Sequence, residues 1–180
     1  MPDEPLSIQF ANTRHAVRGE LREGLGTPAD LAGWLSRSAS TQPGEAVIDE
    51  HTVTEFRTLR DAIRGLFTAA VNGEPPDPGQ LDALNRASRL APSWPELSTS
   101  DGEYAVTERT ADTSTAAGRA ALARDAMDVL AGPPRARLRA CGAPGCVLIF
   151  VKDHPRREWC SGACGNRARV ARHYARHRGG

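Results

Sequence analysis

The chain has 180 residues, 39% hydrophobic and 5% aromatic, with 23 basic against 22 acidic side chains and a net charge of +1. This length suits one sizeable core plus a small satellite. No stretch approaches the roughly 18 apolar residues that read as a membrane span, and the opening Met1-Pro2-Asp3-Glu4-Pro5-Leu6 has neither the basic nor the apolar region of a secretory signal. A cytoplasmic protein with reduced thiols is the expectation.

Along the chain, Leu6-Ser7-Ile8-Gln9-Phe10 alternates apolar and polar residues, which predicts a short strand or extended entry, followed by a polar stretch rich in Gly and Arg. Thr27-Pro28-Ala29-Asp30 starts a helix: Thr27 caps, Pro28 suits the first helical position and Asp30 complements the dipole. Leu31, Trp34 and Leu35 form its apolar stripe, and Ser38 to Gly44 reads as a loop. The longest helix is expected from about Asp49 to Asn72, with Val53, Phe56, Leu59, Ile63, Leu66, Phe67 and Ala70 on one side, stopped by Gly73 and Pro75-Pro76. Asp77-Pro78-Gly79-Gln80 begins another, with Leu81, Leu84 and Leu90 as its core face. Ser100-Asp101-Gly102 turns a β-hairpin between Trp94–Thr99 and Glu103–Arg109. A further helix spans roughly Thr115 to Ala131, and Gly132-Pro133-Pro134 marks a boundary between residues 1–134 and 135–180.

All four cysteines lie beyond that boundary, as Cys141-x4-Cys146 and Cys160-x3-Cys164, with thirteen residues between the pairs. Two knuckles that each offer two thiolates are what a tetrahedral zinc ion needs. A redox pair or an iron–sulfur cluster are the alternatives, although redox pairs usually have two intervening residues. Four thiolates leave no open position, so one structural zinc is expected. Gly142, Pro144 and Gly145 allow a tight knuckle, and Val147 to Val151 reads as a strand. Lys152 to Arg157 reads as a basic hairpin tip from which Trp159 begins the return. Cys160 and Cys164 would share a face of a first helical turn. The final helix, read from Gly165, places Arg169, Arg172 and Arg176 on one face. Val170 and Tyr174 fall nearly opposite and are expected to pack on the hairpin with Trp159.

Charge divides at the same place. Residues 1–134 carry 12 arginines against 20 carboxylates, a balance of −8; residues 135–180 carry ten arginines and Lys152 against Asp153 and Glu158, a balance of +9. A concentrated basic module with few acidic partners points to a polyanion, because released phosphate counterions supply affinity.

Trp159-Cys160-Ser161-Gly162-Ala163-Cys164-Gly165-Asn166-Arg167 resembles the signature of the CGNR zinc-finger family, and the match extends through Ala168-Arg169-Val170-Ala171-Arg172-His173 and back to Cys141 and Cys146. The second cysteine pair departs from it, being one residue closer than in many relatives. Phe10-Ala11-Asn12-Thr13 resembles the early motif of the ABATE-type domain that precedes this finger. Together the resemblances cover nearly the whole chain and imply a stress-related transcription regulator.

The expected fold is therefore α+β: a mainly helical N-terminal domain with a small β element, then a C-terminal treble-clef-like zinc finger. The expected zinc ligands are Cys141, Cys146, Cys160 and Cys164. Expected DNA contacts are Arg156, Arg157, Asn166, Arg167, Arg169, Arg172, His173 and Arg176, with Asn166 better suited to a local cap or a hydrogen bond that orients the finger than to reading a base, and Arg167 equally suited to bracing Asp153 or Glu158. The spacing of His173 and His177 can bind metal on a helix, but with four thiolates already available surface phosphate contacts are expected there instead. Asn12, Thr13 and Arg14 form a tight polar cluster that suits an effector pocket or a simple turn. The acidic domain is expected to sense a small-molecule effector or to form a homodimer. The rival readings are a protein-interaction adaptor with a purely structural zinc, and an RNA-binding protein. No nucleophile–base pair, phosphate-binding glycine loop or carboxylate motif occurs, so no enzyme is expected.

Overall fold

The computed structural model describes residues 4–17, 19–38, 47–112 and 114–177. Its elements run α1 (Leu6–Ala11), β1 (Arg14–Val17), β2 (Glu20–Glu23), α2 (Pro28–Ser36), α3 (Glu50–Asn72), α4 (Pro78–Ser88), β3 (Trp94–Ser100), β4 (Glu103–Arg109), α5 (Thr115–Ala131), a 3-10 turn (Pro133–Arg137), β5 (Leu138–Ala140), β6 (Ile149–Val151) and α6 (Gly162–His177). The strands form three separate antiparallel pairs, β1–β2, β3–β4 and β5–β6. The α+β architecture is as expected, while Arg178-Gly179-Gly180 and most of the loop reading at Ser38 to Gly44 lie outside the described residues.

The first element differs from its sequence reading. Leu6–Ala11 is a short helix that buries Ser7, Ile8, Phe10 and Ala11. Six residues are too few to separate a period of 2 from one of 3.6, and here tertiary contacts decide. The Ser7 N–H donates to Asp125 Oδ2 of α5 at 2.7 Å. Phe10 packs on Trp34 and Phe56, with ring centroids 5.1 and 6.2 Å apart. The β1–β2 hairpin, read from sequence only as a polar stretch, is exposed or half-exposed along its length. It lacks the apolar alternation by which a strand announces itself.

Helices α2, α3 and α4 start where expected. Thr27 and Asp30 form a reciprocal capping box on α2. Asp49 accepts from the Thr52 N–H at 2.8 Å, and Asp77 from the Gln80 N–H at 2.9 Å. Helix α3 is the spine: Val53, Phe56, Leu59, Ile63, Leu66 and Phe67 are buried against α1, α2, α4 and α5. On α4 the core face is Leu84 and Ala87; Leu81 and Leu90, expected inside, are over one third exposed. The β3–β4 hairpin forms where expected, with Leu97 opposite Val106 and Thr99 opposite Tyr104. It packs mainly on itself and leaves Leu97, Tyr104 and Val106 exposed.

One ion pair fastens β2 to the spine. The Arg60 side chain is 1% exposed and donates to both carboxylate oxygens of Glu23 and to Asp61. Arg57 adds a second cation to Glu23 at 3.5 Å. Burial works to raise the Glu23 pKa, but hydrogen bonds from Arg60 and the Leu25 N–H, with both guanidinium charges, outweigh it and hold the carboxyl below its ordinary value.

A carboxylate depressed on folding contributes stability that is complete above its unfolded value and is lost as pH falls through its folded value. The Glu23 contribution is thus intact at neutral pH, begins to decline near pH 4.5 and is lost progressively as pH falls further. Glu23→Gln leaves the buried Arg60 cation with Asp61 as its remaining carboxylate partner and is expected to cost about 2 kcal/mol at pH 7. Urea unfolding at pH 7 and pH 4 checks this: the gap between wild type and variant narrows at the lower pH.

Candidate metal centre

Strand β6 separates two cores. Ile149 and Val151, with Leu138 of β5, belong to the helical core. Phe150, between them, points the other way into a second cluster with Cys141, Ala143, Cys160, Cys164 and Ala168. This is the period-2 alternation of a strand applied to two different interiors. The register Leu138↔Val151 and Ala140↔Ile149 pairs β6 with the segment before the first cysteines. The expected hairpin returning through Trp159 is therefore corrected: its partner strand is upstream, the Cys141–Cys146 knuckle is its turn, and residues 152–161 contain no strand.

Within the knuckle the Cys146 N–H donates to Ala143 O at 2.9 Å, and Gly145 takes φ 69°, a left-handed geometry that other residues adopt at a cost. Cys160 precedes α6 and Cys164 lies in its first turn, where the Ser161 hydroxyl caps the Cys164 N–H at 3.2 Å. Gly165 is a contact position: a Cβ there would approach the Trp159 ring at 3.2 Å. This is the treble-clef-like arrangement, a knuckle in a hairpin turn facing two ligands at a helix start.

The four Sγ atoms lie within 4.8 Å of one another. Cys146 stands 3.8 Å from both Cys160 and Cys164, and those two are 3.4 Å apart. A tetrahedron with Zn–S bonds of about 2.3 Å places its sulfurs roughly 3.8 Å apart, so these residues fit one zinc ion. A disulfide needs about 2.05 Å, and all four cysteines are free. Burial pushes the Cys160 thiol up, with Cys164 and Cys141 adding to it, and burial also raises Cys146. Burial acts upward on Cys164 too, but the Ser161 hydroxyl and the neighbouring thiols outweigh it and bring that thiol down. Such a pocket does not hold four thiolates unaided, and a bound dication supplies the missing charge. Donors stand ready around it: the Cys160 N–H reaches Cys141 Sγ at 3.5 Å, and Arg167 Nη2 reaches Cys164 Sγ at 3.1 Å.

The hairpin is clamped to the helical body by polar side chains on both sides. Asn12 donates its amide to Ile149 O at 2.7 Å and accepts from the Ile149 N–H at 3.0 Å. Arg64 of α3 donates to Val147 O, next to a ligand, and to Ala11 O at 3.2 Å. Glu4 accepts from the Val151 N–H at 2.6 Å. Arg157 sits over the Phe150 ring at 4.7 Å and donates to Val151 O, Cys160 O and Asp153, with Glu4 at 3.5 Å.

The expected DNA-facing residues thus divide. Arg157 is only 15% exposed in its side chain and is engaged by this internal network. Arg167 turns to a zinc-ligand sulfur instead of bracing Asp153 or Glu158, and Asn166 accepts from Arg169. Arg156, Arg169, Arg172, His173 and Arg176 stay exposed or half-exposed. Arg172 lies over the Trp159 ring at 5.6 Å, and the His173 and His177 rings are 4.4 Å apart. Val170 and Tyr174 correct a second expectation: both face solvent, and the helix packs through Cys164, Gly165 and Ala168. The helix begins three residues earlier than expected, at Gly162, so Cys164 lies within it and the side carrying Cys164, Gly165 and Ala168 is the one that packs.

Of the N-terminal cluster, Asn12 serves the clamp and the Thr13 hydroxyl donates to Phe10 O at 2.7 Å. Arg14 borders an open cleft of about 410 Å³ with Asp61, Arg64, Glu74 and Asp77, which neither Asn12 nor Thr13 lines. Sequence reasoning missed Glu4 and Arg64 as supports of the finger. Their partners are backbone groups far along the chain, and no spacing rule reaches that distance.

Metal analysis of protein prepared under reducing conditions is expected to give one zinc per chain, and Cys160→Ser to lose it. Asn12→Ala leaves the Ile149 N–H and C=O unpaired and is expected to cost about 2–4 kcal/mol. Zinc content should survive that change, while hydrogen exchange at the Ile149 amide accelerates.

The chain matches two family descriptions: ABATE, "Putative stress-induced transcription regulator", over residues 4–133, and the CGNR zinc finger over residues 137–177. Neither is an enzyme family. No curated protein resembles the chain closely enough to count as a match. With its match running from Glu4 to Pro133 and four cysteines gathered beyond it, the chain belongs to the ABATE family and carries a C-terminal CGNR zinc finger.

Proposed function

We propose that the protein is a cytoplasmic, non-enzymatic regulator of transcription that binds DNA through its zinc finger. The observation that carries this reading is the solvent face of α6. Arg169, Arg172, His173 and Arg176 are exposed there, and no carboxylate among the described residues forms an ion pair with the three arginines. Guanidinium groups held close together on a rigid helix without carboxylate partners repel one another unless a polyanion lies against them. Phosphate oxygens meet that need with bidentate geometry, and counterion release adds affinity. Zinc does no chemistry in this scheme; it fixes the start of α6 so that the arginines are displayed. No helix among the described residues is long and apolar enough to cross a membrane, which accords with a protein that meets the genome directly.

Residues 1–134 and 135–180 act in this proposal as a regulatory body and a reading head joined by the β6 clamp. The cleft beside Arg14 is the place for a small-molecule effector, since Arg64 in its wall also holds the knuckle carbonyl of Val147. The exposed Leu97, Tyr104 and Val106 on the β3–β4 hairpin suit association with a second copy.

Duplex DNA, single-stranded DNA and RNA titrated with the full-length, zinc-loaded protein at several salt concentrations test the reading. Binding to duplex DNA should weaken steeply with salt, and replacing Arg169, Arg172 and Arg176 by Gln should reduce the slope by about one for each phosphate no longer neutralised. Absence of binding to every nucleic acid at low salt defeats the proposal in favour of an adaptor, and preference for RNA reassigns the target.

A further inference from the structure

We propose that the free edge of β4 pairs with the β4 edge of a second copy, antiparallel and centred on Val106, joining two hairpins into one four-stranded sheet. This rests on the reading of the hairpin as a meeting place for two copies and adds to it the strand, the register and the symmetry.

The hairpin is an arm with little laid against it. All seven residues of β4 are exposed, and β3 and β4 pack mainly on each other. Two strands alone are marginal in water. Leu97, Tyr104 and Val106, at 64%, 76% and 69% exposure, alternate onto one face of the arm. Charge restricts what can cover that face. Residues 94–109 carry Glu96, Asp101, Glu103 and Glu108 against one cation, Arg109. The phosphates of a nucleic acid or an anionic membrane are repelled by such an arm, which leaves a protein as the partner.

The two edges are not equivalent. Asp101 and Gly102, at φ 53° and 84°, make the two-residue turn of a tight hairpin. Ser100 and Glu103 beside it therefore exchange backbone hydrogen bonds, and inward and outward pairs alternate from there. Pro95, Leu97 and Thr99 on β3, and Tyr104, Val106 and Glu108 on β4, turn their backbone groups outward. On β3 one of these is a proline, which has no N–H to offer a further strand. Tyr104, Val106 and Glu108 all keep theirs. β4 is the edge open to another strand.

Reversed, the sequence of β4 is complementary to itself. Glu103-Tyr104-Ala105-Val106-Thr107-Glu108-Arg109, laid antiparallel on a second copy so that the whole strand overlaps, sets Val106 against Val106 on a two-fold axis. Glu103 then faces Arg109 of the second copy, and by symmetry Arg109 faces the other Glu103, an opposite-charge pair at each end. The outward backbone groups of Tyr104, Val106 and Glu108 all find partners. Leu97 and Val106 of both copies fall into one apolar row across the sheet. Within its own chain Arg109 meets Glu96 at 3.5 Å, an exposed pair that does not prevent a second carboxylate from joining it.

Sedimentation equilibrium of the full-length, zinc-loaded protein without nucleic acid should show monomer passing to dimer between about 1 and 100 µM. Glu103→Arg sets like charges opposite each other at both ends of the pairing, and Arg109→Glu does so with the other sign. Each variant alone should dimerise roughly ten-fold more weakly. Mixed in equal amounts, the two restore opposite charges at both ends and should associate about as tightly as wild type. Val106→Pro, which removes an outward N–H and spares the bonds within the hairpin, should also weaken the dimer. Circular dichroism confirms that the variants fold.

Wild type that stays monomeric at about 100 µM overturns the second-copy reading with its register, and leaves the edge to a protein of another kind. A dimer indifferent to Glu103→Arg and to Val106→Pro keeps the second copy and overturns pairing through β4. So does a mixture of the charge variants that associates no more tightly than each alone. DNA binding enters none of these measurements, so its failure leaves this inference standing.

Discussion

The structure depends on a three-residue strand that belongs to two interiors. Ile149 and Val151 complete the helical core while Phe150 closes the zinc cluster. A strand so short has little ladder of its own, so its position is fixed by what grips it. Asn12 satisfies both backbone groups of Ile149, Glu4 takes the Val151 N–H, and Arg64 takes the carbonyl just upstream. Buried backbone groups left unpaired are costly, so these side chains are structural requirements and not ornaments of the surface.

This arrangement explains how a finger with few buried residues holds its orientation. Zinc fixes the knuckle and the start of α6 relative to each other, which is local geometry. Nothing in a tetrathiolate site sets how the finger lies on the body. That is done by the two faces of β6 and by Arg157, whose guanidinium stacks on Phe150 from within the finger while reaching Glu4 at the far end of the chain. The metal and the clamp therefore act in series: one shapes the head, and the other aims it.

Much of this was legible in the sequence. Thr27, Asp49 and Asp77 announced three helix starts because capping is local chemistry, and the cysteine spacing announced the metal centre for the same reason. What failed was non-local. The alternation of Leu6-Ser7-Ile8-Gln9-Phe10 suggested a strand because the pull of α5 on Ser7 was invisible. Trp159 was expected to begin a return strand because nothing in the sequence says that β6 already has a partner at Leu138–Ala140. The packed side of α6 was misread for a subtler reason. Val170 and Tyr174 are its most hydrophobic larger side chains, but Cys164 is tethered to the cluster and drags the small residues Gly165 and Ala168 inward. A ligand bond outranks hydrophobicity in choosing a helix face.

The zinc site also bears on charge. A zinc held by four thiolates carries −2, so the +9 counted for residues 135–180 with neutral cysteines becomes +7 once the site is loaded. The reduction is local. It falls at the buried start of α6, where Arg167 lies against Cys164 Sγ and partly offsets it. Arg169, Arg172 and Arg176 run away from the cluster along the helix, and their field in solvent is the less diminished the farther they stand from it. By anchoring its inward side through a cysteine and two small residues, the finger leaves its larger apolar side chains, Val170 and Tyr174, facing solvent on a side of the helix nearly opposite the arginines.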